Sequence, residues 1–499
     1  MTTPLVSRRT VIKGAAVGAA AATGGYAVAQ AGSGGGSAAP VTSGHAGAPP
    51  QSAWRALERS IDGDVVRRGD RDYGETKELF NPRWDTIRPL AVVEAVSSAD
   101  VAEAIRFAQK FDLPCRPKSG GHSYVGASTV RSGLVIDVGR MQGVRYDAAS
   151  QHAIVGAGAT LYPVHRALAE HGRTLPTGTC PTVGAAGLTL GGGLGVDSRA
   201  HGLTADRLVQ LRIVTADGVI RNVDSDRHDD LLWACRGGGG GNFGIVTQMR
   251  FQTHATRRMG FFLLSFPWRR APAVLRGWAR RIQHMPHSSW ANVHLEAHSG
   301  GGNEVRIVGV CRAGDEGNEA AAMQRAIGVD ATDVSTFSKS FLDGVRFLGG
   351  GTTSPRQGFA AGSDVLGNLP RRTSFDLPRL MEQRASHDHA ATAILDPLTG
   401  GVHARGPRGT AFPWRRHLAS IQWYLSMPGH PTMRQVHAAY HWIGTAHHAV
   451  AGPSVGGYVN YLEPRRHVGS YYGENFARLK HLRHKWDPDG FFTSPYAIA

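Results

Sequence analysis

Residues 119–124 read Ser-Gly-Gly-His-Ser-Tyr and carry an imidazole, His122, in a glycine-rich loop where a plain phosphate cradle would hold lysine or serine. Two more such stretches follow, TGTCPTVGAAGLTLGGGLG at 177–195 and RGGGGGNFGIVT at 236–247, and the first of these holds Cys180. Glycine permits positive φ and close backbone approach, so consecutive N–H groups can converge on an anion. One loop of this kind says little, whereas three are strong evidence. Neutral imidazole and thiolate are also nucleophiles, the thiolate needing a lowered pKa or a positive field. Alone, His122 reads as a hydrogen-bonded loop histidine and Cys180 as a small buried hydrophobe; each in its own glycine loop, they read together as ligand-holding groups. A third candidate is Tyr458, which opens Tyr-Val-Asn-Tyr at 458–461. A phenol, with a pKa of about 10, serves as base only where charge or hydrogen bonds stabilise phenolate. Arg415 and Lys118 are candidate stabilisers; the competing reading is an interface aromatic that fixes the C-terminal segment.

These side chains need a scaffold. LAVVEAV reads as a strand, followed by a helix capped at Ser98 with Val101, Ala104, Ile105 and Ala108 on one face, which runs into the first loop. GLVIDV and HAIVGAGA are predicted strands and LYPVHRALAEHG a helix. Asp217-Gly218 between apolar runs predicts a hairpin, DLLWACRG a short helix and GIVTQMRFQT a return to strand. The pattern is mixed α+β; no G-x-G-x-x-G opens a helix after a strand, so a Rossmann unit is excluded on context. Beyond residue 256, GFFLLSF, NEVRIVGVC and SIQWYLSM predict a second sheet, and a helix is predicted over 473–485 in a segment that folds back onto the first domain.

The chain has 499 residues, 41% of them hydrophobic, enough for two or three domains. Its formal charge of +16 comes from scattered arginines without a basic run or a nucleic-acid motif, so a solvated basic surface is expected and nucleic acid is not. Four cysteines without C-x-x-C and 24 histidines without H-E-x-x-H predict neither a disulfide scaffold nor a metal site. Residues 7–29 pair Arg8 and Arg9 with a weakly apolar Ala/Gly stretch and end Ala27-Val28-Ala29, resembling a twin-arginine export signal. Ala and Gly make a poor anchor, so stable membrane insertion is not expected. Residues 30–52 have linker composition. Twin-arginine export carries folded proteins, which suits a chain that acquires a cofactor first, and the expected location is periplasmic or extracellular.

The three loops together resemble the berberine-bridge-enzyme-like branch of the FAD-linked oxidases, whose flavin domain is of the vanillyl-alcohol-oxidase or p-cresol-methylhydroxylase (PCMH) type. The likeness runs from Trp84 to Phe251 and returns from Tyr458 to Phe492. It implies an α+β fold in which a two-part FAD-binding domain (53–256) joins a substrate domain (257–452) whose antiparallel sheet is covered by helices. A C-terminal segment (453–499) returns to the flavin domain. It implies FAD bonded twice, through His122 to the 8α-methyl group and through Cys180 to C6. Pro117, Lys118, Ser119, Gly120, Gly121, Ser123 and Tyr124 are expected around it from the first loop. The second loop would add Gly178, Thr179, Val183, Gly184, Gly187, Gly192 and Gly195, and the rest of the chain Gly244, Ile245, Val246, Tyr461 and Asn475. Tyr458 matches the family's base, and Val183 matches a position above the flavin where a compact residue accompanies reaction with O2.

The expected function is therefore an exported oxidase that takes hydride from an alcohol carbon of a sugar, oligosaccharide or secondary metabolite and reduces O2 to H2O2. A dehydrogenase with another acceptor, or an exported binding protein without turnover, are the alternatives. Two departures stand out: DPDGFFTSPY at 487–496 replaces the usual C-terminal signature, and Glu463 stands where aspartate is common. DPLTGGVHARG at 396–406 resembles the family's P-x-G-G strand but supplies no glutamate base, which argues against alkaloid cyclisation.

Overall fold

Short strands with buried alternate positions and one well-capped helix build the first half of the chain. The computed structural model describes residues 48–385 and 390–499; the twin-arginine segment and residues 30–47 lie outside the described residues. The first described helix, Gln51–Ser60, begins within the last two residues of the stretch read as linker.

A four-stranded sheet runs in the order Asp64–Arg67, Ala91–Glu94, Leu134–Asp137, Cys115–Lys118, the last three mutually parallel. The strand Cys115–Lys118 separates the long helix from the first glycine loop, where the sequence predicted direct passage. Pro117 disguises it: proline cannot donate to a ladder, and this strand accordingly sits at the sheet edge. The helix Ser98–Lys110 is capped by Ser97 rather than Ser98. Ser97 Oγ accepts from the Asp100 amide while the Asp100 carboxylate accepts from the Ser97 amide, a reciprocal pair that Ser98 cannot form. Ser98 Oγ instead meets Thr247 Oγ1 at 2.8 Å, on the neighbouring five-stranded antiparallel sheet. That sheet orders Val144–Asp147, His152–Gly156, Ile245–Gln252, Leu208–Val214 and Ile220–Val223, the last two being the predicted hairpin.

An eight-stranded antiparallel sheet follows, from the edge strand Asp333–Lys339 through Met259–Phe266, Glu304–Arg312, Trp290–Ala297, Ala391–Pro397, Ala419–Met427 and Gly358–Leu366 to Ser454–Gly456. One face is covered by the helices Ala271–His284, Glu316–Ile327, Arg371–Ala385 and Met433–Ala449, with Ala393, Leu395, Ile421 and Trp423 in the shared core. Period-two alternation turns Asp396, Gln422 and Tyr424 to the opposite face, where they stay partly accessible. The last helix, Phe476–Trp486, packs Leu479 and Leu482 into the core of the first half together with Phe492 and Ile498, so the chain end does fold back.

Two arginines fix the halves together. Arg199 is 1% exposed and donates from Nε to the Ser289 carbonyl (2.8 Å), from Nη1 to the Ile282 carbonyl (2.6 Å) and from Nη2 to the Met285 carbonyl (2.9 Å). Arg415 is fully buried and makes a two-pronged pair with Asp206, both bonds 2.7 Å. The Thr-Gly-Gly of residues 399–401 belongs to this joint: a Cβ on Gly400 would lie 2.7 Å from the Arg199 carbonyl oxygen.

Candidate active site

The three glycine loops touch one another. A Cβ on Gly120 would lie 2.3 Å from the Gly184 amide nitrogen, and one on Gly184 2.5 Å from that of Gly120, so loops one and two meet backbone to backbone. The Gly237 and Gly239 amides donate to the Leu190 carbonyl, joining loop three to loop two. A Cβ on Gly241 would come 3.1 Å from Pro117. Among the described residues no protein acceptor is recorded for the amide N–H groups of Gly120, Gly121, His122 and Ser123. Lys118 lies beside them, paired with Asp137 at 2.9 Å. Unclaimed backbone N–H donors on a glycine loop fit the pyrophosphate of a dinucleotide.

His122 projects from this cradle. Its ring stacks on Phe80 (centroids 3.9 Å apart, 18° between planes), and Nε2 is 3.0 Å from Thr182 Oγ1. Burial disfavours the imidazolium and pushes His122 down to about 4, against a weaker opposing hydrogen bond that the ring donates to the Thr182 backbone, so the ring is neutral at pH 7. The same Thr182 hydroxyl is 3.8 Å from Cys180 Sγ, and Ser354 Oγ is 3.7 Å from that sulfur. One hydroxyl thus touches both side chains read as tethers. A neutral imidazole and a half-buried cysteine therefore stand on facing loops beside one hydroxyl.

Tyr458 is 2% exposed. Its Oη accepts from the Gly193 amide at 2.9 Å and from Asn460 Nδ2 at 2.8 Å. Burial raises the phenol and these two donors lower it, leaving it at about 12. Neither side chain named from the sequence as its stabiliser is engaged with it: Arg415 is held by Asp206 and Lys118 by Asp137 and the Thr76 carbonyl. The stabilisers are a backbone amide and an asparagine. The glycine run at 191–193 makes room for them, since a Cβ on Gly191 would fall 1.9 Å from Asn460 Oδ1 and one on Gly193 2.2 Å from Thr204 Oγ1.

Around Tyr458 stands an aromatic wall. Tyr461 lies edge-on to it at 4.9 Å and stacks on Tyr124 at 5.2 Å, and Tyr124 meets Phe359 edge-on at 5.0 Å. From the sheet, Gln422 donates to the Tyr124 hydroxyl, and Tyr424 stacks on Phe359. Asp396 completes the group: Asn292 donates to its Oδ1 at 3.0 Å, burial raises its carboxyl against that bond, and its charge opposes ionisation of Tyr124, Tyr458 and Tyr461. The sequence reading passed over Asp396, although it heads the DPLTGG stretch, because glutamate was the acid sought there. Asn460 sat in plain view inside Tyr-Val-Asn-Tyr.

The surroundings of the other residues expected at the cofactor are these. Ser119 Oγ donates to the Ala157 carbonyl at 2.6 Å. Thr179 is exposed, Gly187 faces open space, and Gly178 lies against Leu188. Val183 is half-buried and packs on the main core. Gly192 (φ +128°) abuts Phe412, and Gly195 closes on the Thr177 carbonyl. Gly244 (φ +146°) leads into Ile245 and Val246, both buried in the core. Asn475 donates to the Pro407, Thr410 and Ala411 carbonyls and so ties down the 407–411 loop.

Residues 89–224 match the FAD binding domain family and residues 457–499 the family described as berberine and berberine like. The chain is 32% identical over 458 residues to the uncharacterized FAD-linked oxidoreductase YvdP of Bacillus subtilis, covering 88% of this chain and 98% of that protein. It is 29% identical over 463 residues to the carbohydrate oxidase of Microdochium nivale, covering 86% and 91% of the two chains. The solved structure of the Microdochium nivale carbohydrate oxidase with a substrate analogue superposes with a TM-score of 0.80 at 27% identity, covering 89% of this chain and 99% of the other.

Proposed function

The chain belongs to the berberine-bridge-like FAD-linked oxidoreductases, and on that premise we propose that it is an exported oxidase of sugars or oligosaccharides carrying its flavin on two covalent bonds. The observation that carries this reading is the convergence of neutral His122 and Cys180 on one Thr182 hydroxyl, together with a buried Tyr458 phenol that accepts from two donors. Bound FAD would supply the hydride acceptor and the route for electrons to O2.

The protein's own part follows from the geometry. The loop N–H groups would hold the pyrophosphate; His122 and Cys180 would fix the ring, freeing the sheet side to stay open. Tyr458 Oη, with Gly193 and Asn460 already donating to it, is arranged for an anion that accepts a third hydrogen bond, from the hydroxyl of a bound alcohol. Phenolate is scarce at neutral pH because burial raises Tyr458 to about 12, so proton removal should quicken as pH rises. Tyr124 and Tyr424, backed by the buried Phe359, offer apolar ring surface for a pyranose, and Gln422 and Asp396 offer polar edges. The likeness to a carbohydrate oxidase over most of the chain supports the sugar class, and Val183 supports O2 as acceptor.

A screen of reducing sugars, polyols and phenols tests this, reading flavin bleaching without air and peroxide with it. Bleaching by a sugar with prompt reoxidation in air is expected. Bleaching with slow reoxidation would make the protein a dehydrogenase, and bleaching by phenols alone would overturn the sugar class.

A further inference from the structure

The strand that anchors Tyr458 carries a buried ionic cluster outside the site. Tyr458 donates its amide to Ser363 Oγ at 2.9 Å. The next residue, Asp364, is 1% exposed and accepts from Trp423 Nε1 (2.8 Å) and Ser454 Oγ (2.7 Å). Five residues beyond Tyr458, Glu463 is 4% exposed and its amide donates to the Tyr471 hydroxyl at 3.1 Å. One imidazole joins the two acids: His447 Nδ1 lies 2.6 Å from Asp364 Oδ2 and Nε2 lies 2.6 Å from Glu463 Oε2. Arg466 reaches the same pair, at 3.0 Å from Glu463 and 3.4 Å from Asp364, and donates to the Ser363 carbonyl.

We infer that His447 is a positioning residue for Tyr458: by joining Asp364 on the sheet to Glu463 on the C-terminal segment, it holds the tyrosine motif at its depth in the site. The inference rests on Tyr458 being the base. The longer arm of Glu463, where the family commonly has aspartate, is what reaches the imidazole.

Both ring nitrogens facing carboxylate oxygens at 2.6 Å require both to donate, and only the imidazolium can do so. Two carboxylates then balance two cations. Burial alone would lower His447, but its hydrogen bonds to Asp364 and Glu463 raise it to about 9. Arg466 opposes this charge, while Tyr471, Tyr440 and Arg83, the last donating to the Tyr440 hydroxyl, complete the titratable and charged groups facing the cluster. His447 is 25% exposed, so solvent can take its proton. Neutral imidazole can donate to one acid only, and the pair of buried carboxylates is then left with Arg466 as its one cation among the described residues.

Hydrogen exchange of the holoprotein, read by mass spectrometry on peptides spanning 457–463 and corrected for the intrinsic pH dependence of exchange, tests the latch without any substrate. In the wild type, protection of this segment should drop roughly tenfold or more as pH passes about 9, while the helix Phe476–Trp486 keeps its protection. His447→Gln should lack protection at every pH and show no step. The double variant His447→Gln/Glu463→Gln, which removes one charge of each sign, should regain protection and also show no step. A His447→Gln protein with wild-type protection and step, or a double variant as unprotected as the single, would overturn the inference. Should the single variant fail to fold, a step shared by wild type and double variant would overturn it equally. Absence of sugar turnover in the wild type would count against the sugar reading alone.

Discussion

At the scale of single residues, the proposed chemistry is concentrated in Tyr458 Oη and what touches it. Tyr458→Phe removes the proton acceptor and should slow anaerobic flavin reduction roughly a hundred- to ten-thousandfold with little change in KM, as stopped-flow bleaching would show. Asn460→Ala removes one of two donors to the developing phenolate; a hydrogen bond to a charged group is worth about 1.5–3 kcal/mol, so roughly a ten- to hundredfold loss is expected. In the wild type the reduction rate should climb with pH, since Tyr458 stands at about 12, until His447 loses its proton near 9. A rate that is flat between pH 6 and 9 would deny Tyr458 the role of base. His447 also bears on stability with a defined sign. Its folded pKa lies above the ordinary 6.5, so its contribution is whole below about 6.5 and fades as pH rises through 9. His122, Cys180 and Tyr458 were legible in the sequence because each sits in a short local pattern. Asp396 and His447 were not, since their meaning comes from strands and segments that meet only in three dimensions. Arg415 was misread as a stabiliser of Tyr458 because its partner, Asp206, is distant in sequence.

At the scale of elements, the glycine run 191–193 does something the sequence reading assigned to phosphate binding. Gly191→Ala places a methyl group 1.9 Å from Asn460 Oδ1 and should reproduce the kinetic defect of Asn460→Ala while the flavin stays attached, which absorbance of the denatured protein would confirm. The helices Ser98–Lys110, Leu161–Ala169 and Asp229–Cys235 and the hairpin were legible from periodicity and from Asp217-Gly218, whereas Gln51–Ser60 and the short helix Ala185–Leu190 were not. The edge strand Cys115–Lys118 was hidden by Pro117, and the cap shifted to Ser97 because Asp100 completes its box. The helix Ser198–His201 carries Arg199 into the second half of the chain. Arg199→Met leaves the buried Ser289 and Met285 carbonyls without a donor, at about 1–3 kcal/mol each, while Thr399 still donates to that of Ile282, so a clear drop in the denaturation midpoint is expected.

At the scale of the whole molecule, the proposed function divides the work between the two halves: glycine loops would hold and tether the flavin on one side, and an antiparallel sheet presents Asp396, Gln422 and Tyr424 from the other. The α+β class and the returning C-terminus were legible; the order of the eight strands was not, because pairing across a sheet is set by long-range contacts that no local pattern records. The unusual chain end is accommodated by Asp487, which accepts from the Phe491 and Phe492 amides at 2.8 Å and pairs with Arg483. Export by the twin-arginine route would deliver this assembly already loaded. The most direct measurement is mass spectrometry of proteolytic fragments from protein isolated with its flavin. One flavin joining the peptide that contains His122 to the peptide that contains Cys180 is the expected result; both peptides at unmodified mass would contradict two-point attachment.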